Sequence, residues 1–93
     1  MKRRVVITGI GAVSTIGNNA DEIYNSIVNK KCGISKIEGF DATELSVSLA
    51  GEVKDFNPEE FIDKKSIKRT DRVTQFAIVA ATRAFYDAGF EKN

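Results

Sequence analysis

The hydrophobic residues of the chain fall into a few stretches with distinct periods. Val5, Val6 and Ile7 are consecutive and β-branched, with no polar alternation. That pattern predicts a strand over Arg3–Thr8 that is covered on both faces. Ile23, Tyr24, Ile27 and Val28 recur at helical spacing and predict a helix over Ala20–Lys31. Asn19 is a good N-cap for it, with Glu22 three residues on as in a capping box. Asp21 and Glu22 lie at the positive end of its dipole and Lys30 and Lys31 at the negative end. Gly33 is expected to take the left-handed position that closes it.

Ile34–Ser46 shows no period and reads as an irregular connection. Ser48–Lys54 is a weaker strand, with Leu49 and Gly51 on one face and Ala50 and Glu52 on the other. Pro58 suits the first turn of a short helix over Pro58–Ile62. The strongest element is a final helix over Asp71–Ala88. Thr70-Asp71 is its capping signal, Gly89 its stop, and Phe76-Ala77-Ile78-Val79-Ala80-Ala81 an unbroken apolar run. Arg72, Gln75, Thr82 and Tyr86 fall on roughly one polar stripe. A helix this apolar is expected to be buried on several sides, with Phe76 and Phe85 in the core. Arg72 is unfavourable near a helix N-terminus, so a partner elsewhere is expected for it.

These elements do not close on themselves. Two strands make a poor sheet, and nothing among 93 residues covers both faces of Val5–Ile7 while also enclosing the last helix. The sequence therefore reads as α/β and as a piece of a larger domain, with no complete domain of its own. Composition adds exclusions. A net charge of +1 argues against a dedicated nucleic-acid binder. The absence of histidine removes the commonest general base and metal ligand. The single cysteine, Cys32, cannot form an internal disulfide, which suits a reducing compartment. Met1-Lys2-Arg3-Arg4 precedes an apolar run too short for a signal peptide, and no run approaches a membrane span. A cytoplasmic protein with no membrane association is expected.

The glycine-rich loop Gly9–Asn19 invites a nucleotide-binding reading, which its spacing does not support. From Gly9, Gly11 holds the second glycine place of G-x-G-x-x-G but Ser14 holds the third. The helix starts at Asn19, too far from the glycines to share a pyrophosphate with them. No glycine is followed by Lys and then Ser or Thr, so a P-loop is absent as well. The glycines are better read as sites where the backbone passes close to a neighbour. No cofactor and no metal are expected.

The ordered set of segments nevertheless resembles one family. Arg4-Val5-Val6-Ile7-Thr8-Gly9-Ile10-Gly11-Ala12-Val13-Ser14 with Gly17-Asn18, then Cys32-Gly33-Ile34, Phe40-Asp41 and Ala50-Gly51-Glu52-Val53-Lys54-Asp55-Phe56 are similar to the N-terminus of β-ketoacyl-acyl carrier protein synthases. So are Asp71-Arg72-Val73-Thr74-Gln75-Phe76-Ala77 and Asp87-Ala88-Gly89. The likeness spans essentially the whole chain and is strongest to the type II elongating (3-oxoacyl) enzymes. Thr15, Tyr24, Cys32 and Thr70 depart from the usual residues, which blurs the subtype.

The resemblance implies the N-terminal part of a thiolase-like αβαβα layered fold, 1–93 being a partial N-terminal half, with the rest of the synthase chain as partner, usually in a homodimer. It implies an acyltransferase of fatty acid biosynthesis. Such enzymes load an acyl chain onto a cysteine thiolate and condense it, with loss of carbon dioxide, with malonyl carried on acyl carrier protein. Two histidines assist. None of that machinery lies in 1–93, so no catalytic residue is assigned and no activity is expected of the segment alone. Cys32 matches a serine position of the family, and it follows a helix C-terminus, whereas nucleophilic cysteines are activated at helix N-termini. The family docks its acidic carrier partly on basic residues in the region of Lys64, Lys65, Lys68 and Arg69, and Lys65, Lys68 and Arg69 match those positions. From Lys64 to Arg69 there are four positive and no negative charges. A solvated helix face accounts for the same residues. The alternative is a small non-enzymatic module that binds an acidic partner through this segment.

Overall fold

A computed structural model describes residues 2–91. Its elements are helix α1 (Ala20–Val28), strands β1 (Ile34–Lys36) and β2 (Leu49–Gly51), a single 3-10 turn at Pro58–Glu60, and helices α2 (Lys64–Arg69) and α3 (Arg72–Asp87). The chain divides into two units, Val13–Phe56 and the described residues of 1–12 with 57–93.

In the Val13–Phe56 unit, α1 starts where its cap dictates. Asn19 Oδ1 accepts from the Glu22 amide at 2.9 Å, and Glu22 Oε2 accepts from the Asn18 amide at 2.7 Å. The reciprocal bond thus reaches one residue further back than a standard capping box. The helix is three residues shorter than the pattern predicts at its C-terminus, and the left-handed closing residue is Lys30 (φ 56°), not Gly33. The Lys30 amide donates to Ile27 O (3.1 Å) and the Lys31 amide to Ser26 O (2.8 Å), the two bonds of a Schellman motif. Gly33 serves close approach instead. A Cβ there would lie 2.8 Å from Ile16 Cγ2 and 3.0 Å from Thr15 Cβ. Tyr24, Ile27 and Val28 remain exposed, so only part of the apolar stripe is covered.

β1 and β2 pair antiparallel in the register Ile34↔Gly51, Ser35↔Ala50, Lys36↔Leu49. β1 lies inside the predicted irregular connection: three residues are too few to show a period, and their order comes from pairing with β2. In β2, Ala50 is the half-buried residue between exposed Leu49 and Gly51, as the alternation predicts. The loop after β1 is fastened by Glu52, whose carboxylate accepts from the amides of Glu38 (2.8 Å) and Gly39 (3.0 Å).

In the other unit, α3 is the organising element. Asp71 caps it, accepting from the Thr74 amide at 3.0 Å. At its far end Gly89 takes φ 94°, the Gly89 amide donates to Tyr86 O (2.9 Å), and Phe90 stacks on Phe85 at 5.0 Å between ring centroids. This is a second Schellman closure, with the hydrophobic contact that accompanies the motif. The Arg72 guanidinium lies over the ring of Phe76 in the same helix, 5.0 Å from its centroid.

Two expectations for this unit are corrected. Residues 3–8 form no strand: among the described residues the only sheet is β1–β2, and no strand lies beside them to complete a ladder. Val5, Val6 and Ile7 are therefore exposed, Val5 by 93%. The segment instead runs over α3, where Gly9 approaches Ala84 and Ala88, and Gly11 approaches Ala80 and Ala84. The Ile10 amide donates to Asp87 Oδ2 at 2.9 Å. The second correction concerns α3 itself. Among the described residues only Gln75 and Val79 are buried on it; Phe85 is exposed and Phe76 only half-buried. The polar-stripe assignment of Gln75 fails because its amide is needed by α2.

Candidate functional site

The basic segment forms its own helix. Asp63 precedes it in extended conformation and accepts from the Ser66 amide (3.3 Å) and the Ser66 hydroxyl (2.7 Å). These two bonds hold the Asp63 carboxyl below its ordinary value, the hydroxyl being the larger cause. At the other end, Thr70 Oγ1 donates to Ser66 O at 2.8 Å. Ile62 is buried just before the helix, and Ser66 and Ile67 are its half-buried residues.

Lys64, Lys65, Lys68 and Arg69 are all exposed. At 3.6 residues per turn, their side chains project within an arc of about 140°. Ser66 and Ile67 fill the remaining arc, facing the protein. Among the described residues the salt bridge present is Lys54–Glu38 at 3.7 Å, in the other unit, so none of the four cations is neutralised by a neighbouring carboxylate. Lys68 and Arg69 suit the negative C-terminal end of α2, and that stabilisation is their role within the fold. Lys64 and Lys65 occupy the first turn, where a positive charge opposes the dipole. Folding gives no reason for that placement. All four sequence-assigned residues thus lie on one continuous, unpaired, solvent-facing surface.

The remaining chemistry is sparse. No group of three metal-ligating side chains occurs among the described residues. Cys32 is exposed, and its thiol donates to Ile34 O at 3.6 Å. It lines a cavity of about 490 Å³ with Ser14, Asn18, Asn25, Lys31 and Lys54, all within the Val13–Phe56 unit. No described helix is long and apolar enough to cross a membrane. The glycine loop offers no phosphate cradle. Gly9 and Gly11 are pressed onto the α3 backbone, and the first turn of α1 is capped by the protein's own side chains.

The residue that sequence reasoning missed is Gln75. It lies in α3, is 7% exposed, and donates from Nε2 to Ile67 O (3.1 Å) and Thr70 O (3.2 Å). Its one sequence signal is a polar side chain four residues before Val79, the residue most deeply buried in α3.

Comparison with known proteins agrees with this architecture. The family described as "Beta-ketoacyl synthase, N-terminal domain" matches residues 2–93. The 3-oxoacyl-[acyl-carrier-protein] synthase 2 of Staphylococcus aureus (strain COL) is 50% identical over 91 residues, 98% of this chain and 22% of that protein. The protein of the same name from Coxiella burnetii is 44% identical over 92 residues, 99% of this chain and 22% of its own length. The chain therefore spans about a fifth of these relatives. A solved structure of the ishigamide ketosynthase/chain length factor superposes with a TM-score of 0.86 at 34% identity, over 98% of this chain and 23% of that one. The fold is that of the N-terminal part of a thiolase-like ketosynthase, and the chain belongs to the β-ketoacyl synthase N-terminal domain family.

Proposed function

We propose that this chain is the N-terminal segment of a fatty-acid-elongating condensing enzyme, a 3-oxoacyl-acyl carrier protein synthase, and that the exposed face of α2 docks acyl carrier protein. The parent reaction transfers an acyl group to a cysteine thiolate and condenses it with a malonyl thioester on the carrier, releasing carbon dioxide and lengthening the chain by two carbons. The segment itself performs no condensation: it has no histidine, and its one cysteine sits in an exposed loop after a helix C-terminus. A cytoplasmic homodimer is part of the same reading.

The observation that carries the docking role is the surface of four exposed cations without carboxylate partners among the described residues, two of them placed against their own helix dipole. An acidic partner supplies the missing countercharges, and complementary charge steers encounter and fixes orientation. The test is charge reversal in the full-length synthase. Lys65→Glu, Lys68→Glu and Arg69→Glu together should weaken carrier binding several-fold at low salt, with the difference shrinking as salt screens it. Unchanged affinity at low salt overturns the docking role.

A stand-alone module that binds an acidic partner uses the same surface. The small core disfavours it: among the described residues, Ala42, Ile62 and Val79 are the buried hydrophobics. Cooperative melting of residues 1–93 as a soluble monomer would support that module, and aggregation or dye-binding looseness would support the segment.

A further inference from the structure

Helix α2 has six residues, too few to hold helical geometry unaided. Its N-terminal end is held by Asp63 and Ser66, which belong to the same local stretch. Its C-terminal end is held by its own cap residue and from another element. The last carbonyls of a helix have no partner within it. Here Thr70 Oγ1 takes Ser66 O at 2.8 Å, and Gln75 Nε2, from α3, takes Ile67 O at 3.1 Å and Thr70 O at 3.2 Å. The Gln75 amide also approaches Thr70 Oγ1 at 3.4 Å, so the two ties are joined. Gln75 is buried, and water does not readily substitute for it. Lys68 and Arg69 stand on the very turn whose carbonyls it holds.

We propose that Gln75 is a positioning residue for carrier docking: its buried amide locks the C-terminal turn of α2 to α3 and so fixes the direction in which Lys65, Lys68 and Arg69 are presented. The inference rests on the docking role of α2. Gln75 touches neither the carrier nor the reacting atoms; it acts through the helix.

The experiment compares two malonyl donors in the full-length synthase, one on acyl carrier protein and one a malonyl-pantetheine thioester without carrier. Gln75→Met keeps the side-chain volume and removes the amide. Thr70→Val removes the second tie with less disturbance of the interior. Each should raise KM for the carrier-borne donor about two- to tenfold, the range set by one net hydrogen bond. Turnover at saturation, and all kinetics with the pantetheine donor, should be unchanged. An equal loss with both donors reports general damage and overturns the inference, as does an unchanged KM for the carrier-borne donor. If Gln75→Met does not fold, Thr70→Val decides alone. The triple reversal of Lys65, Lys68 and Arg69 runs alongside. If it leaves the carrier KM unchanged, the docking role itself fails and this inference falls with it. If it raises KM while Gln75→Met and Thr70→Val do not, only the role of Gln75 fails.

Discussion

Gly11→Ala tests whether the N-terminal glycines exist for contact with α3. A Cβ on Gly11 would lie 2.7 Å from the Ala84 amide nitrogen and 3.0 Å from the Ala80 carbonyl carbon, and closer still to Ala80 O. Favourable non-bonded separations are about 3.5–4.0 Å. The strap and the helix must therefore part by roughly 1 Å, and neither can yield by rotating a side chain, because every atom met is backbone. Overpacking of this kind costs about 1–3 kcal/mol. The substitution also restricts the unfolded chain, which returns about 0.4–1 kcal/mol. The net loss is about 1–2 kcal/mol, or roughly a 5- to 30-fold rise in the open fraction. Amide hydrogen exchange reads that fraction locally. The amides of Ala84 and Ala88 should exchange faster by that factor in the variant. Gly89→Ala is the control. Its Cβ would meet nothing within 4 Å, but its φ of 94° is strained for alanine, so faster exchange there should be confined to the last turn of α3. If Gly11→Ala leaves Ala84 and Ala88 protected to within about twofold, the close-approach account is wrong.

Further outcomes follow from the same geometry. Lys30→Gly should stabilise the α1 terminus by about 1 kcal/mol, because Lys30 holds a left-handed conformation that disfavours a Cβ; no gain in denaturant midpoint would refute this. Val79→Ala removes two methyls from the most deeply buried side chain among the described residues and should lose about 2 kcal/mol, read by chemical denaturation. The carboxyls of Asp63 and Asp71 are held below their ordinary value of 3.8, chiefly by hydrogen bonds from the Ser66 and Thr74 side chains and then from their amides. Their contribution to stability is thus present above about pH 4 and is lost as pH falls through the depressed native values. Asp71→Asn keeps the capping oxygen and should flatten the acid limb of a stability–pH curve, whereas an unaltered limb would argue against the cap as its source. NAD and NADP should give no thermal shift, since Gly9 and Gly11 are occupied by α3.

What the sequence discloses here is what is decided within a few residues. Asn19, Asp71 and Gly89 mark helix ends through bonds to groups three or four residues away, and each end falls where its cap predicts. The spacing of Lys64, Lys65, Lys68 and Arg69 already places them on one helical face. What it conceals depends on distant partners. Val5–Ile7 has strand composition, but a strand exists only beside another strand, and the described residues supply none there. β1 takes its order from β2, thirteen or more positions away. The burial of Gln75 is invisible locally because its acceptors lie across a turn, at the end of a helix with no apolar stripe of its own. The position of Gly33 suggested a cap, yet a lysine holds that place and the glycine answers to Thr15 and Ile16.

Among the described residues, the side-chain hydrogen bonds that hold α2 come from Asp63, Ser66, Thr70 and Gln75, and none comes from the side chains of its four cations. Hydrogen bonding and charge are therefore largely written in separate residues. Substitution at Lys64 or Lys65 can change sign, strength or reach of the surface with little consequence for whether the helix forms, whereas Lys68 and Arg69 also serve the C-terminal end of its dipole. Such a surface can be retuned in charge while the hydrogen bonds of the scaffold beneath it stay in place.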